Sequence, residues 1–418
     1  MVDLLLRNAV VQDRDGLVDV AIDEGIIVAV APGLKMGARQ EIDLGRRLLV
    51  PGFVEPHVHL DIALSNNWER PGRPHPFISI PGLNQSVEQR RKAYTSEDIQ
   101  QRARKALELA CRHGVTAVRA QCHVDTEIGL KHVEALQAVK EKYADWVTLQ
   151  IVAFPQQGLF RNPGTFELVR EAFRRGADVM GGAANLDAGV DFRIHLEAAF
   201  DLAMELDVDL DAHTDLLIPQ EVTLEELEVV HLARCTIERG YQGRVAAGHV
   251  CALGSALPEV AQQAIELIKE AEISVISQPD LYRLGRDDLR HKRRGLTRVK
   301  ELLAAGVNVA YASNNVRDGY RPLGNFNPLE EALILAYGAH MDTIQELETL
   351  LRMGTYGGAK ALRLPDYGLQ AGCRADLVVL DAPSPSAAIV SQAEKNYVFK
   401  AGRLVARSRV VSEAINHR

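Results

Sequence analysis

The sequence predicts a (β/α)8 barrel, the TIM-barrel architecture, with a small β-sandwich domain formed from both ends of the chain. Three observations lead to this fold class. The two ends share short strands separated by turns, the middle alternates strand-like and helix-like segments, and unusual polar residues follow the predicted barrel strands. The predicted division is a sandwich from residues 1–50 and 363–418 and a barrel from residues 51–362.

Both ends of the chain have the pattern of a small all-β unit. Near the start, apolar runs at 4–11, 18–22 and 26–30 are separated by turn sequences rich in Asp and Gly. A similar pattern returns only at 374–381 and 398–405, around a segment rich in Pro and Ser. Because the middle of the chain lacks this character, we expect one discontinuous sandwich built from both termini.

The middle of the chain has the strand and helix alternation of a barrel. A helix is expected to begin near Thr95 or Ser96, either of which can cap it, and to end at Gly114. Eight strand-like segments, each followed by a helix-like segment, match the number that the barrel needs. The predicted strands are 48–54, 115–119, 147–154, 179–182, 208–212, 245–248, 273–276 and 307–311.

Composition indicates a protein that acts on a small molecule. The net charge of -8 and the pI near 5.9 argue against nucleic acid or an anionic membrane as the main partner. The five cysteines are scattered and form no C-x-x-C pair, which predicts neither a disulfide framework nor a cysteine zinc site. No stretch approaches the length of an apolar membrane span. We therefore expect a cytoplasmic protein with a small-molecule substrate, and a homo-oligomer.

Histidines and other polar residues gather at the predicted strand ends. His57 and His59 are two residues apart after the first strand, so both imidazoles can face one metal ion. A lone histidine is more often an ordinary core or surface group, but several at the mouth of one barrel favour a metal site. Further polar residues follow strands three, five, six and eight: Gln156, His213, Asp215, His249, Ser313, Asn314 and Asn315. The histidines interpreted as ordinary are His75, His113, His132, His195, His231, His291, His340 and His417.

Several separate blocks of sequence carry a family resemblance. They are 53–61, 149–156, 292–301, 317–318 with 322–325, 366–368 and 375–380. In these blocks the chain resembles the amidohydrolase superfamily, in the branch that holds bacterial cytosine deaminase and N-isopropylammelide isopropylaminohydrolase. The resemblance runs over nearly the whole chain.

The resemblance implies one divalent metal ion, zinc or iron, with manganese or cobalt as alternatives. The implied ligands are His57, His59, His213 and the residue after strand eight, where Asn314 stands. His249 would lie beside the metal as a catalytic residue, and Gln156 would hydrogen-bond a heterocycle. The implied reaction is attack of metal-activated water on a ring carbon, with release of ammonia or an amine.

Asn314 departs from the family pattern, because the family has an aspartate there that ligates the metal and takes a proton from water. An amide cannot act as the base, and its neutrality weakens the metal site. Three explanations are open: an engineered Asp-to-Asn replacement, a natural homologue with altered chemistry, or recruitment of another carboxylate. Asp61 and Asp215 are the candidates for that carboxylate.

Other departures concern the substrate. Leu216 stands where cytosine deaminase has a glutamate that carries protons, and Ile62 stands where the isopropylaminohydrolase has a lysine. We predict substrate contacts from Gln156, Asp61, Leu216 and Trp68, and catalytic roles for His249, Asp215 and Asn314. The loop around Trp68 is interpreted as a lid or an oligomer contact.

Two classes of function are consistent with these residues. The first is a metal-dependent hydrolase of a cytosine-like or s-triazine-like heterocycle, or of a carbamate-like or amide substrate. The second is a catalytically silent barrel that binds a heterocyclic ligand.

Overall fold

A computed structural model describes residues 1–66, 69–70, 80–219, 221–279 and 295–410 of the chain. Its centre is a parallel eight-stranded sheet in which each strand pairs with the next in sequence order. The eight strands are β6 (Phe53–Val58), β7 (Val115–His123), β8 (Thr148–Phe154), β9 (Val179–Ala183), β10 (Asp209–Thr214), β11 (Val245–His249), β12 (Ser274–Ser277) and β13 (Val309–Tyr311). A bridge between Val58 and Asn314 joins the first strand to the chain that follows the last strand, which closes the barrel.

Helices connect and surround the barrel strands. They are α1 (Ile80–Ala93), α2 (Ser96–Arg112), α3 (Lys131–Lys142), α4 (Thr165–Arg174), α5 (Phe192–Glu205), α6 (Glu228–Glu238), α7 (Pro258–Glu270), α8 (Val299–Ala305), α9 (Pro328–Gly338), α10 (Ile344–Arg352), α11 (Gly358–Ala361) and α12 (Pro385–Val390). Helix α2 begins where the sequence predicts, because the Thr95 side chain accepts a hydrogen bond from the Asp98 N–H. None of the described helices is long and apolar enough to cross a membrane.

Two four-stranded sheets form the sandwich at one side of the barrel. The first contains β1 (Val2–Ala9), β2 (Val18–Asp23), β3 (Ile26–Ala31) and β4 (Ala38–Asp43), and the second contains β5 (Leu48–Pro51), β14 (Leu377–Leu380), β15 (Lys395–Lys400) and β16 (Arg403–Arg407). Apolar side chains from both ends of the chain share one core, in which Leu6 and Ile22 cluster with Leu377 and Phe399. This shared core explains why neither terminus forms a sandwich alone.

The buried Lys400 connects the sandwich to the barrel. Its Nζ donates to the Asp376 carboxylate at 2.7 Å, to the Thr116 carbonyl at 2.8 Å and to the Thr148 hydroxyl at 2.8 Å. Burial lowers the pKa of Lys400 to about 8, even though the nearby Asp376 favours the charged form. The two units are therefore joined by a charged group whose three donors all have partners.

The predicted fold class, a (β/α)8 barrel with a β-sandwich from both termini, is confirmed. One predicted strand is wrong in detail, since the run at 48–54 forms two strands. Leu48–Pro51 pairs with Leu377–Leu380 in the sandwich, whereas Phe53–Val58 enters the barrel. Gly52 lies between them, and its backbone is so close to Thr116 that a Cβ would meet that side chain at 2.1 Å, which leaves room only for glycine. The division proposed after residue 50 therefore falls within β5.

Candidate metal centre and active site

Three buried histidines converge at the carboxyl end of the barrel. His57 lies near the end of β6, His59 follows that strand, and His213 belongs to β10. The Nε2 atom of His213 lies 3.1 Å from Nε2 of His57 and 3.3 Å from Nε2 of His59. A ring nitrogen carries either one proton or one lone pair, so a hydrogen bond satisfies only one of these contacts. A shared cation satisfies all three nitrogens, and the donor set fits a divalent metal ion.

His249 also lies beside the point where the three Nε2 atoms converge. It is the last residue of β11, and its ring centroid lies 4.9 Å from that of His213 and 5.4 Å from that of His57. Ligand atoms of His57, His213 and His249 all lie within 4.8 Å of one another. The structure thus brings together the four histidines that the sequence analysis placed at strand ends.

A buried carboxylate that the sequence analysis missed orients His57. Oδ1 of Asp211 lies 3.3 Å from the His57 Nδ1, and the Arg119 guanidinium donates to Oδ2 at 2.9 Å. Burial opposes ionisation of Asp211, but the bonds to His57 and Arg119 hold its pKa below the ordinary value. A carboxylate on Nδ1 directs Nε2 toward the other histidines, as is typical around metal-bound imidazoles.

Asn314 lies where the resemblance places it, with its backbone fixed between two histidines. Its N–H donates to the His57 carbonyl at 3.0 Å, and its carbonyl accepts from the His59 N–H at 2.8 Å. The residue is buried and has a left-handed φ of 59°, a conformation that asparagine tolerates better than most residues. Metal ligation and a catalytic role for Asn314 remain predictions.

Glu55 lies in the barrel two residues before His57. The carboxylate accepts a hydrogen bond from the Ser313 N–H at 3.0 Å, next to Asn314 in the chain. Burial raises the pKa of Glu55 to about 8, although the Ser313 N–H favours the ionised form. A carboxyl group two residues before a predicted metal ligand is therefore held mostly protonated at neutral pH.

Asp61 anchors a second buried network beside the metal centre. Its Oδ2 lies 2.6 Å from Nδ1 of His123 and 2.7 Å from Nδ1 of His132. His123 also approaches the Gln156 Oε1 with its Nε2 at 2.7 Å, so it bridges Asp61 and Gln156. Burial opposes ionisation of Asp61, yet the His123 and His132 imidazoles hold its pKa well below the usual range.

His132 lies behind Asp61 as a core histidine with its hydrogen bond satisfied. The sequence interprets it as an ordinary core or surface group in the helix-like segment that forms α3, and the structure has it fully buried and bonded to Asp61. His123 was also not selected as a site residue, although it is the last residue of β7 and its ring stacks on that of His59 at 5.4 Å. The position of His123 at a strand end was a usable signal, whereas nothing in the sequence indicated the contact of His132.

Asp215 faces the start of helix α6. Its Oδ1 accepts from the Glu228 N–H at 2.8 Å and its Oδ2 from the Val229 N–H at 3.3 Å, while Glu228 accepts from the Asp215 N–H at 2.6 Å. Burial raises the pKa of both carboxyl groups, although the backbone N–H groups favour ionisation. The carboxylate thus caps a helix. A catalytic role for Asp215 stays a prediction that these contacts do not favour.

Of the other predicted substrate contacts, the structure describes Gln156 and Leu216 but not Trp68. Gln156 is half-buried, and its Nε2 lies 3.5 Å from the Tyr320 hydroxyl. Leu216 is half-buried immediately after Asp215, and Trp68 lies outside the described residues. The roles of Gln156, Asp61, Leu216 and Trp68 in substrate binding remain predictions.

Gln278 is a further polar residue that the sequence analysis did not select. It lies just after β12 with 1% exposure, and neither its amide oxygen nor its amide nitrogen has a hydrogen-bond partner among the described residues. A Cβ on Gly248 would lie 3.2 Å from Nε2 of Gln278 and 2.9 Å from the His57 ring. The glycine therefore leaves room for Gln278 to pack against a predicted metal ligand.

Comparison with known proteins defines the class. The model of the amidohydrolase family matches residues 81–406, so the chain belongs to the amidohydrolase family. It is a metal-dependent hydrolase that acts on carbon–nitrogen bonds other than peptide bonds.

Similar proteins of known activity confirm the branch that the sequence indicated. The chain is 30% identical over 412 residues to N-isopropylammelide isopropyl amidohydrolase of Pseudomonas sp. (strain ADP), covering 98% of each chain. It is similar in structure to a 5-methylcytosine deaminase of Klebsiella pneumoniae solved with 5-fluorocytosine, with a TM-score of 0.88, 34% identity and 99% of each chain covered. N-isopropylammelide isopropylaminohydrolase of Burkholderia multivorans gives a TM-score of 0.84 at 26% identity, over 97% of this chain and 99% of that one.

Proposed function

We propose that this protein removes an amino or alkylamino substituent from a cytosine-like or s-triazine-like heterocycle. The observation that carries the proposal is the convergence of buried imidazoles at the barrel mouth, where Nε2 of His213 lies within 3.3 Å of two other Nε2 atoms. Deaminases and amine hydrolases of such rings are among the relatives with the same fold over nearly the whole chain. In the proposed reaction, water oxygen bonds to the ring carbon, the C–N bond breaks, and the departing nitrogen takes a water proton.

His57, His59 and His213 are proposed to hold the metal ion, with the Asn314 amide oxygen as a weaker ligand. Zinc or iron suits imidazole ligands best, with manganese or cobalt as alternatives. Such an ion lowers the pKa of a water that it binds and polarises the group under attack. His249 borders the same point, and an imidazole can accept and return a proton near neutral pH. We assign it the proton transfer between water and the leaving nitrogen.

Asp61 is proposed to supply the negative charge that Asn314 lacks. Oδ2 is engaged by His123 and His132, but Oδ1 is buried and has no hydrogen-bond partner among the described residues. Ligand atoms of His59, Asp61 and His123 lie within 4.8 Å of one another. Because the pKa of Asp61 is far below its ordinary value, the carboxylate is a fixed charge and a weak base. It therefore stabilises a cationic site, whereas His249 is the better proton carrier.

Gln156 is proposed to recognise the ring. Because its Oε1 faces His123, its amide N–H groups are the ones available to a ligand. A ring nitrogen or carbonyl oxygen next to the reacting carbon fits such a donor. The apolar Leu216 favours a substituent without charge on the side that it borders.

The test measures release of ammonia or isopropylamine from cytosine, 5-methylcytosine, N-isopropylammelide and a pterin by the metal-loaded protein. We expect turnover of at least one of them, loss of turnover in His213→Asn, and retention in His340→Asn, which changes an exposed histidine. If neither the native chain nor Asn314→Asp releases amine from any compound, while both bind metal, the proposed reaction is wrong.

A second candidate function, a catalytically silent receptor for such heterocycles, is favoured by Asn314 alone. It predicts that a heterocycle raises the unfolding temperature, because a ligand that binds only the folded state stabilises it. It also predicts no release of amine from that heterocycle. The two measurements on one compound separate a receptor from an enzyme.

A further inference from the structure

A cluster of three metal-ligand side chains lies outside the barrel, on helices α5 and α6. Glu197 extends from α5, while His231 and Cys235 are one turn apart on α6 and share a face of that helix. Their ligand atoms all lie within 4.8 Å of one another. We call these three residues the α5–α6 cluster, and neither the resemblance nor the proposed reaction uses them.

One imidazole nitrogen contacts both of the other side chains of the α5–α6 cluster. The Nε2 atom of His231 lies 3.3 Å from Oε1 of Glu197 and also 3.5 Å from Sγ of Cys235. If Nε2 carries a proton it bonds to the carboxylate, and if it carries a lone pair it accepts from the thiol, but it does not do both. A cation between the three atoms removes this conflict, because each of them then donates a lone pair to it.

The distances fit the edges of a tetrahedral site. With Zn–S near 2.3 Å, Zn–N near 2.0–2.1 Å and Zn–O near 2.0–2.2 Å, a tetrahedron has S–N edges of about 3.5 Å and N–O edges of about 3.3–3.4 Å. The cluster has 3.5 Å and 3.3 Å for the same two pairs of atoms. The side chain of Glu197 is 50% exposed, which leaves an opening through which an ion and a water ligand can enter.

We propose that Glu197, His231 and Cys235 form a second binding site for zinc or a similarly thiophilic divalent ion. A thiolate, an imidazole and a carboxylate are ligands that zinc accepts together, whereas magnesium and calcium prefer oxygen ligands. On binding, the S–H bond breaks, the sulfur–metal bond forms and the proton passes to solvent. Burial raises the pKa of Cys235 to about 11, so the ion displaces a proton that the free thiol keeps at neutral pH.

Neighbouring charges act in both directions at this site. Burial lowers the pKa of His231, while Glu197 raises that pKa and Arg193 and Arg234 lower it. The arginines around the α5–α6 cluster each pair with a carboxylate, in the ion pairs Arg193–Asp191, Arg234–Glu225 and Arg239–Asp201. The ring of Phe192 meets His231 edge-on at 6.1 Å and limits the orientation of the imidazole. Helices α5 and α6 precede and follow β10, which carries His213, but no residue of the cluster belongs to the barrel mouth.

Cobalt distinguishes the two sites, because a thiolate bound to Co²⁺ gives an intense near-ultraviolet charge-transfer band. Neither group of possible ligands in the described part of the barrel includes a cysteine. The experiment titrates Co²⁺ into the metal-free full-length protein. We expect the thiolate band to appear with one additional equivalent of ion and to be absent from Cys235→Ala and His231→Asn.

Cys111→Ala is the matched control. Cys111 is also a helical cysteine with 4% exposure, and burial likewise raises the pKa of its thiol to about 11. This variant should keep the band. A native protein without the band, or a Cys235→Ala protein that retains it, would overturn the proposal.

Glu197→Gln tests the proposed site even if Cys235→Ala and His231→Asn prevent folding, because Glu197 is exposed and this substitution removes only a charge. It should keep the band but require at least about tenfold more Co²⁺ to reach it, since metal affinity follows ligand charge. An unchanged titration would exclude Glu197 as a ligand and reduce the cluster to a thiol–imidazole contact. None of these measurements depends on turnover, so they test the second metal site independently of the proposed function.

Discussion

The substitution Glu228→Gln tests whether Asp215 and Glu228 form a buried carboxyl pair with raised pKa values. Glu228 and Asp215 are both buried, and each accepts a backbone N–H of the other, at 2.6 Å and 2.8 Å. Glutamine keeps an oxygen that can accept the Asp215 N–H but removes one carboxyl group from the pair. The geometry should therefore survive while the electrostatic cost of ionising the pair disappears.

The sign of the effect follows from the raised pKa values. Burial raises the pKa of Asp215 from 3.8 to about 7 and that of Glu228 from 4.5 to about 8. The folded protein therefore holds protons that the unfolded chain has lost between about pH 4 and pH 8, and the free energy of unfolding falls as pH rises through that window. At ~1.4 kcal/mol per pKa unit the shift of Glu228 corresponds to roughly 5 kcal/mol, so Glu228→Gln should raise the free energy of unfolding by up to about 5 kcal/mol at about pH 9 and by less than about 1 kcal/mol at about pH 5.

Urea unfolding of the native and variant proteins at both pH values measures this difference. Glu238→Gln is the control, because Glu238 is exposed at the other end of the same helix. If Glu228→Gln destabilised the protein more at high pH than at low pH, the carboxylate would be ionised and stabilising. The account of Asp215 and Glu228 as a buried pair with raised pKa values would then be refuted.

Three further substitutions test other parts of the site. Asn314→Asp restores a carboxylate beside the histidines and should raise kcat/KM by about 10²–10⁴-fold, the contribution of a positioned general base. An unchanged kcat/KM would show that Asn314 does not lie at the reacting atoms. His132→Leu removes a 2.7 Å bond to Asp61 and should cost roughly 1.5–3 kcal/mol of folding stability. It should also raise KM more than it lowers kcat, with partial rescue by His132→Asn. A stability loss with unchanged KM would show that the Asp61 network does not position substrate. Phe154→Leu removes a ring stacked on His213 at 4.4 Å and should weaken metal binding by about 0.5–1.5 kcal/mol. Competition with a chelator measures this affinity. An unchanged affinity would show that the ring does not orient His213.

The strand ends explain why much of the metal centre could be predicted from sequence. In a barrel the carboxyl ends of parallel strands meet at one rim, so His57, His213 and His249 are brought together by topology alone. The fold followed from similar reasoning, because alternation and hairpin patterns are local properties of the sequence. The split at Gly52 was not predicted, because it depends on the different strands that pair with its two sides, β14 in the sandwich and β7 in the barrel, and no local pattern records such pairings.

The residues that support the centre could not be predicted for a different reason. His132 reaches Asp61 from a helix 71 residues later in the chain, and Arg119 reaches Asp211 across 92 residues. One sequence contains no signal for such pairs, because they depend on how helices pack around the barrel. Asp215 illustrates the same limit, since a left-handed φ of 54° turns it toward α6, and residue spacing gives no orientation of that kind.

The most direct test of the central claim is the metal content of Cys235→Ala, which lacks the cysteine of the α5–α6 cluster. The account predicts one tightly bound divalent ion per chain, identified by elemental analysis, and its loss when His213→Asn is added. The same preparation with His340→Asn in place of His213→Asn should retain the ion. A full equivalent of metal that survives removal of His213 would contradict the proposal that the converging imidazoles at the barrel mouth hold the metal.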